Sequence, residues 1–307
     1  MSKTALTFYV DDTNPYVAPP SAFREFVDFL AGEGLAGESS VILGSGWRDH
    51  GPLSRPATRE QEAYLEQVRR AADLGVLDAH MEIMTHEGLF DFHRLAVPEG
   101  AQHEGVWLCE PEVSQQTYED YLTHTIAEGE RVGVTFTGLT WPGCSCETCT
   151  QRYAVLRAQP DFGINPNVWQ ALLSLAQQGR FRGRTVPGFF ESTGECRLMA
   201  AGGGCAVCDL GPNCGDWFGI WENNPERVNA DYYITADGSG GRIIELVRDG
   251  APYVLFYAHW QGLNPARGVG WPAFVEVVGR VRKHLGDCVQ WMRPSQYAET
   301  CCQETKG

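Results

Sequence analysis

Two adjacent carboxylates, Asp11 and Asp12, follow a short apolar run over residues 4–10. Where a buried strand meets solvent, such a pair can divide the work of hydrolysis, because one carboxylate binds a metal ion while the other remains free to move a proton. The simpler interpretation is an Asx turn, in which Asp-Asp-Thr-Asn-Pro ends the strand and satisfies its own backbone. The choice depends on the residues with which the pair shares a site.

Three further apolar runs end in residues that could complete such a site. His86 ends one run, Trp141 and Pro142 follow a second, and His259 ends a third. A metal held by one carboxylate and two imidazoles, with open positions left, lowers the pKa of bound water to about 7 and polarises an acyl oxygen. Alternatively, the histidines are hydrogen-bonded structural residues and the tryptophan packs at the rim.

Short apolar runs alternate with amphipathic stretches along the chain, which predicts alternating strands and helices. The predicted strands cover residues 4–10, 40–44, 79–85, 132–139, 184–190, 252–258 and 288–292. Helical spacing recurs over residues 23–30, 64–72 and 118–126, and again after residues 165, 241 and 271. These units predict an α/β fold: a single domain over residues 1–307, most simply a closed or nearly closed (β/α) barrel of seven or eight units. An open doubly wound sheet is the alternative. In such a barrel the chemistry lies at the carboxyl ends of the strands.

Three short motifs resemble those of the polysaccharide deacetylase family, whose members are metal-dependent hydrolases on a distorted (β/α) barrel that remove acetyl groups from amino sugars. Residues 8–12 (Phe-Tyr-Val-Asp-Asp) resemble the first motif of that family. Residues 81–86 (Met-Glu-Ile-Met-Thr-His) resemble the second, and residues 254–259 (Val-Leu-Phe-Tyr-Ala-His) the last. The likeness extends over most of the chain through these short stretches.

The resemblance implies a role for each residue. Asp11 would be the catalytic base and His259 the general acid, whereas Asp12 and His86 would bind the metal. In the family a second metal-binding histidine usually follows the first by four residues, but a phenylalanine occupies that place here. We therefore expect His93 to supply the remaining imidazole.

The segment at Trp141 and Pro142 resembles the third motif, without the arginine that usually begins it and orients the base. Asp216 and Trp217 resemble the acidic and aromatic pair of the fourth motif. We expect Trp141, Pro142 and Trp260 to line the substrate pocket, where an indole can stack on a sugar ring.

The chain contains 11 cysteines, an odd number that cannot pair completely within one chain. A Cys-rich insertion around residues 143–216 could hold a structural zinc ion through some of these thiolates. The candidates are Cys144, Cys146, Cys149, Cys205 and Cys208. Disulfide bonds and unlinked thiols are the alternatives, because the spacings match no standard zinc-finger pattern.

The composition restricts the partners. A formal net charge of -15 disfavours nucleic acid and anionic membranes, so a neutral or cationic small molecule fits better. The chain shows no leader and no apolar run of membrane-spanning length, and we expect a soluble cytoplasmic protein. The glycines at 202–204 and 238–241 do not follow a phosphate-loop pattern, so nucleotide binding is not expected.

We therefore expect a metal-dependent hydrolase that removes an acyl group, such as N-acetyl, from a carbohydrate or a related linear amide. The ligand types favour zinc and also suit cobalt, nickel or manganese. Two other functions remain open. One is a carbohydrate-binding barrel without catalysis, and the other is a glycoside hydrolase that uses a carboxylate pair such as Glu82 and Glu191.

Overall fold

The computed structural model describes residues 3–16, 19–44, 53–143, 151–152, 154–156, 163–190 and 194–304. Within these residues nine strands form one sheet. The strands are β1 (Thr4–Thr13), β2 (Gly37–Val41), β3 (Leu77–Met81), β4 (Gly138–Thr140), β5 (Thr185–Phe189), β6 (Cys196–Gly202), β7 (Cys205–Leu210), β8 (Tyr253–His259) and β9 (Val289–Trp291). The helices are α1 (Pro20–Glu33), α2 (Arg59–Leu74), α3 (Glu104–Trp107), α4 (Gln115–Arg131), α5 (Pro166–Gln177), α6 (Ala230–Tyr233), α7 (Arg242–Arg248), α8 (Trp260–Leu263), α9 (Trp271–Leu285) and α10 (Pro294–Glu304).

Local sequence signals account for several element boundaries. Helix α2 begins after Thr58, which forms a reciprocal capping box with Gln61. Helices α1 and α2 end at Gly34 and Gly75, which adopt left-handed conformations with φ of 67° and 70°. Among the described helices, none is both long enough and apolar enough to cross a lipid bilayer.

The strand order is β6-β7-β5-β4-β3-β2-β1-β8, and β9 pairs with the first residues of β1. All pairings are parallel except that of β6 with β7. The prediction of an α/β fold with a mostly parallel sheet is therefore confirmed. The described strands do not form a closed barrel, because the order has two ends. After β7, the backbone amides of Asn213 and Cys214 donate to the carbonyl of Leu255 at 3.0 and 3.1 Å, so this segment touches β8.

The sheet separates two cores. On its outer face, apolar side chains such as Leu6, Phe8 and Phe256 pack against the helices. On its inner face, Tyr9 and Phe189 belong to a smaller core that also includes residues of α10. These faces follow from the alternation of side chains along a strand.

Helix α10 covers the inner face near the start of the strands. The buried carboxylate of Asp78 accepts hydrogen bonds from the Ser295 amide at 2.8 Å and the Ser295 hydroxyl at 3.0 Å. It also pairs with the guanidinium of Arg293 at 3.2 Å. The carboxyl ends of β1, β3, β4 and β8 lie at the opposite edge of the sheet, and this edge carries several polar residues.

The hairpin of β6 and β7 was not expected from the sequence. Gly203 and Gly204 form its turn with φ of 57° and 78°, values that favour glycine. On β7, Cys205 faces the outer core and Cys208 the inner core, because they are three residues apart on a strand. Both are free thiols on opposite faces of the sheet, so the prediction that they bind a zinc ion together is wrong, and for these two the alternative of unlinked thiols fits.

The other predicted cysteines, Cys144, Cys146 and Cys149, lie outside the described residues. A disulfide bond joins Cys196 of β6 to Cys301 of α10. It connects the hairpin to the helix that covers the inner face.

Candidate functional site

The end of β1 places Asp11 and Asp12 in different surroundings. Asp12 has a left-handed backbone with φ of 68°, and its amide donates to Ser40 Oγ and Glu82 Oε2, both at 3.1 Å. Its carboxylate oxygen Oδ2 accepts a hydrogen bond from Gln261 Nε2 at 3.0 Å. The second oxygen, Oδ1, is buried without a hydrogen-bond partner in the described part of the chain.

The residues after β3 bring a second carboxylate and an imidazole to Asp12. His86 Nε2 lies 3.0 Å from Glu82 Oε1 and 3.5 Å from Asp12 Oδ1. One ligand atom from each of the three residues lies within 4.8 Å of the other two. Two carboxylates and one imidazole at this separation form a donor set that could hold a divalent cation.

The charges of the two carboxylates oppose the effect of burial on the pKa of His86. Burial disfavours the charged imidazolium of His86, but the carboxylates of Glu82 and Asp12 outweigh it and raise the pKa of His86 to about 10. Without a bound cation, a proton on His86 therefore balances the two carboxylates. A divalent cation would displace this proton, because it would neutralise the same charges.

A buried carboxylate on α3 fixes the backbone that carries His86. Glu104 Oε2 accepts hydrogen bonds from the amides of Thr85 and His86, both at 2.9 Å. Its Oε1 accepts from the Met84 amide at 3.2 Å and from the Tyr121 hydroxyl at 2.6 Å. His86 has a left-handed backbone with φ of 59°, which is uncommon for a residue other than glycine. These hydrogen bonds hold it in that conformation.

His259 forms a pair with Asp216 next to Asp11. Strand pairing aligns Asp11 of β1 with His259 of β8. The His259 ring nitrogen Nδ1 lies 2.8 Å from Asp216 Oδ2. Asp216 is held in turn by the amide of Phe218, which donates to its Oδ1 at 2.8 Å. The geometry leaves Nε2 as the nitrogen that can exchange a proton with a bound molecule.

His259 and the adjacent Asp11 both have shifted pKa values. Burial alone would lower the pKa of His259, but the hydrogen bond to Asp216 and the carboxylate of Asp12 raise it above its ordinary value. Burial, followed by the charges of Glu82 and Asp12, raises the pKa of Asp11 well above its ordinary value. Groups whose pKa values are shifted in this way are candidates for proton transfer.

Two of the predicted site residues lie elsewhere. His93 is exposed in a turn in which the Asp91 carboxylate accepts the amides of His93 and Arg94 at 2.9 and 3.0 Å. It does not belong to the group of possible metal ligands, so the prediction of His93 as a ligand is wrong. Glu82 supplies the third donor atom instead. The spacing Glu-x-x-x-His directly after a strand was the signal for this role in the sequence.

The prediction that Trp260 lines the substrate pocket is also wrong. Trp260 is only 4% exposed and packs edge to face on Phe23 and Phe26, with ring centroids 5.2 and 5.8 Å away. The residue after the strand therefore anchors α8 to α1 in the outer core. The neighbouring Gln261, which the sequence did not single out, is the residue of α8 that contacts Asp12.

Trp141 and Pro142 follow β4 at the same edge of the sheet. Trp141 is partly exposed, and its indole Nε1 donates to the Gly105 carbonyl at 3.0 Å, beside Glu104. Pro142 is buried. The contribution of both residues to a substrate pocket stays a prediction.

No protein-family model and no curated protein matches this chain. The crystal structure of a 4-alpha-glucanotransferase from Thermococcus litoralis covers 97% of this chain and 38% of its own, with 10% identity and a TM-score of 0.47. The structure of a rubisco-like protein from Burkholderia fungorum covers 98% of this chain and 66% of its own, with 13% identity and a TM-score of 0.33. This chain spans less than two thirds of either protein, and neither is described as a deacetylase. Both TM-scores are below 0.5, so neither likeness enters the functional argument.

Proposed function

We propose that the protein is a metal-dependent hydrolase that removes an acyl group, most simply N-acetyl, from a carbohydrate or a related linear amide. One observation carries the proposal: the donor atoms of Asp12, Glu82 and His86 converge within 4.8 Å at the carboxyl edge of the sheet. Asp11 and His259, which can transfer protons, flank that convergence on β1 and β8. The resemblance of the short motifs to those of polysaccharide deacetylases supports the acyl group as the target.

The residues present suit a divalent cation. Asp12 Oδ1 is a buried carboxylate oxygen that lacks a hydrogen-bond partner among the described residues, which is costly unless a cation or water binds it. Asp12, Glu82 and His86 would hold the metal, and three protein ligands leave a position open for reaction. When bound, the metal would supply an activated water molecule and polarise the acyl oxygen.

The remaining chemistry belongs to the side chains around the ligands. Asp11, whose pKa is raised, would accept a proton from the attacking water. His259, oriented by Asp216, would deliver a proton from Nε2 to the departing nitrogen. Gln261 would fix the Asp12 carboxylate through its hydrogen bond to Oδ2.

The charge of the site restricts the substrate. Asp11, Asp12, Glu82 and Asp216 all contribute carboxylates to the site, and the whole chain carries a net charge of -15. Phosphorylated or carboxylated substrates would be repelled, whereas neutral acylated molecules would not. An amine product would be protonated and attracted electrostatically.

The experiment compares two kinds of bond cleavage. Chelator-treated protein is reloaded with zinc, manganese, cobalt or nickel and incubated with N-acetylated chitooligosaccharides, and both acetate and new reducing ends are measured. We expect metal-dependent release of acetate without new reducing ends, and at least a 100-fold lower rate for Asp11→Asn. New reducing ends without acetate would indicate a glycoside hydrolase. Saccharide binding with neither product would indicate a binding protein without catalysis.

The Glu104 carboxylate provides a further prediction about the metal site. A glutamine there cannot accept all four hydrogen bonds, because its amide nitrogen would face backbone amides or the Tyr121 hydroxyl. We expect Glu104→Gln to lower the affinity for zinc by about 10- to 100-fold, measured by competition with a chelating dye. Tyr121→Phe, which removes a single hydrogen bond to the same carboxylate, should have a smaller effect. Unchanged affinity in Glu104→Gln would show that the His86 backbone does not depend on this carboxylate.

A further inference from the structure

A row of stacked rings crosses the inner face of the sheet directly below the site. The ring centroids of His80 and Phe189 lie 5.0 Å apart, those of Phe189 and Tyr9 4.5 Å apart, and those of Tyr9 and Tyr257 5.4 Å apart. Tyr257 continues the row to His259, with centroids 6.0 Å apart. The row therefore ends at the proton-transferring histidine and forms the floor beneath the edge that carries the carboxylates.

Tyr9 occupies the middle of this floor. It precedes Asp11 by two residues on β1, so both side chains extend from the same face of the strand. Phe189 and Tyr257 both stack on the Tyr9 ring, which holds it in one orientation. The position of its hydroxyl is therefore fixed before any ligand arrives.

The hydroxyl of Tyr9 has no internal role in the part of the chain that the structure describes. No hydrogen bond to the Tyr9 hydroxyl is present among the described residues, and 8% of the residue is exposed. Tyr253, another inner-face tyrosine, differs in this respect, because its hydroxyl donates to the Gly211 carbonyl at 2.6 Å. A buried phenol normally finds a partner, so the largely buried phenol of Tyr9, which lacks one among the described residues, suggests that a ligand supplies the partner.

The protonation state of Tyr9 makes it a donor. Burial and the nearby carboxylate of Asp11 raise the pKa of Tyr9 well above its ordinary value, so the phenol keeps its proton at neutral pH. An ionised carboxylate can only accept hydrogen bonds. Tyr9 therefore offers a neutral donor to a lone pair of a neutral oxygen atom, a role that an ionised carboxylate cannot fill.

We propose that the Tyr9 hydroxyl donates a hydrogen bond to a neutral oxygen atom of the substrate, either a sugar hydroxyl or the acyl oxygen. Tyr9 is then a substrate-binding residue that helps to select neutral, oxygen-rich molecules. The choice of an acetylated saccharide as the ligand rests on the proposed function. The hydrogen bond from Tyr9 to a ligand oxygen is inferred from the stacked rings and from the phenol that has no partner among the described residues. The resemblance to deacetylases assigns no role to this position.

The test removes only the hydroxyl. In Tyr9→Phe the ring still stacks on Phe189 and Tyr257, and no hydrogen bond among the described residues is lost. We expect unchanged thermal stability and zinc content, together with an about 10-fold loss in affinity for N,N′,N″-triacetylchitotriose, measured by calorimetry. We expect at least the same loss in kcat/KM for acetate release from that saccharide. Tyr253→Phe is the matched control, since it should lower stability through the lost bond to Gly211 and leave affinity unchanged.

A second probe separates the two kinds of oxygen. Hydrolysis of 4-nitrophenyl acetate, which has an acyl oxygen and no hydroxyl, should fall in Tyr9→Phe if the contact is to the acyl oxygen and stay constant if it is to a sugar hydroxyl. Equal affinity and equal rates in Tyr9→Phe and wild type would overturn the proposal. If wild type binds the saccharide without hydrolysing it and Tyr9→Phe binds it more weakly, the role of Tyr9 in binding would be supported and the proposed hydrolase activity would be contradicted. No binding and no hydrolysis by wild type would contradict both.

Discussion

Replacing Asp12 by asparagine is expected to lower the affinity of the protein for a divalent metal ion by more than about 100-fold. This loss is larger than the loss expected when a residue that only orients a ligand is replaced. Asparagine keeps the size of the side chain and its contact with Gln261, but it removes the negative charge at Oδ1, the buried oxygen that faces His86. His86→Ala should have an effect of the same order, because it removes the imidazole ligand.

The affinity is measured by titrating chelator-treated protein with zinc in the presence of a competing dye. Asp78→Asn is the matched control, because Asp78 is an equally buried carboxylate that pairs with Arg293 and Ser295 at the opposite end of the sheet. It should lower the free energy of unfolding and leave zinc affinity intact. Wild-type affinity in Asp12→Asn would remove Asp12 from the ligand set.

The second large effect is expected at His259. His259→Asn should lower kcat by about 10² to 10⁴ with unchanged zinc content, because it removes the group that delivers a proton to the leaving nitrogen. Steady-state hydrolysis of N,N′,N″-triacetylchitotriose by zinc-loaded protein measures this loss. The exposed His124 of α4 is the control residue, and His124→Asn should be as active as wild type.

Asp216→Asn tests the cause of the His259 pKa shift. Asp216 helps to raise the pKa of His259, so the imidazolium persists to higher pH in wild type. Once the Asp216 carboxylate is removed, the pKa of His259 falls, because only Asp12 and Glu82 then oppose the effect of burial. A general acid is lost as the pH rises through its pKa, so the basic limb of the kcat profile should move to lower pH in Asp216→Asn. Superimposable profiles for the two proteins would show that Asp216 does not tune His259.

The sequence predicted the strands that carry the site better than it predicted which side chains meet there. Strands β1, β5 and β8 were expected within a few residues of their bounds, because each is a continuous apolar run of the kind that parallel strands show. The residues at their carboxyl ends followed from the same pattern. The loop after β7 and the end of β8 bring the carboxylate of Asp216 next to the imidazole of His259. The resemblance did not specify this pairing.

The failures have local causes. His93 was chosen by its spacing from His86, but the turn organised by the Asp91 carboxylate leaves it in solvent. Glu82 was missed as a candidate ligand because its approach to His86 depends on the left-handed backbone of His86, which tertiary hydrogen bonds impose. No pattern of apolar residues encodes such a bend. Trp260 was misplaced because an aromatic residue after a strand can face either the pocket or the helices, and periodicity does not decide between them.

Strand β4 and the hairpin show the same limitation at the level of the fold. The apolar run at 132–139 predicted a long strand, yet only Gly138–Thr140 is a strand, because α4 extends to Arg131 and residues 132–133 form the turn that follows it. The strands of the hairpin contain a single β-branched residue, Val207, which weakens the signal for a strand in the sequence. The Gly-Gly turn was the available signal.

The most direct measurement is anomalous scattering from crystals of the zinc-loaded protein, recorded on both sides of the zinc absorption edge. We predict one anomalous peak bounded by the carboxylates of Asp12 and Glu82 and the imidazole of His86, with His93 away from it. A peak elsewhere with none at these residues, or side chains of Asp12 and His86 that face different cavities, would contradict the account.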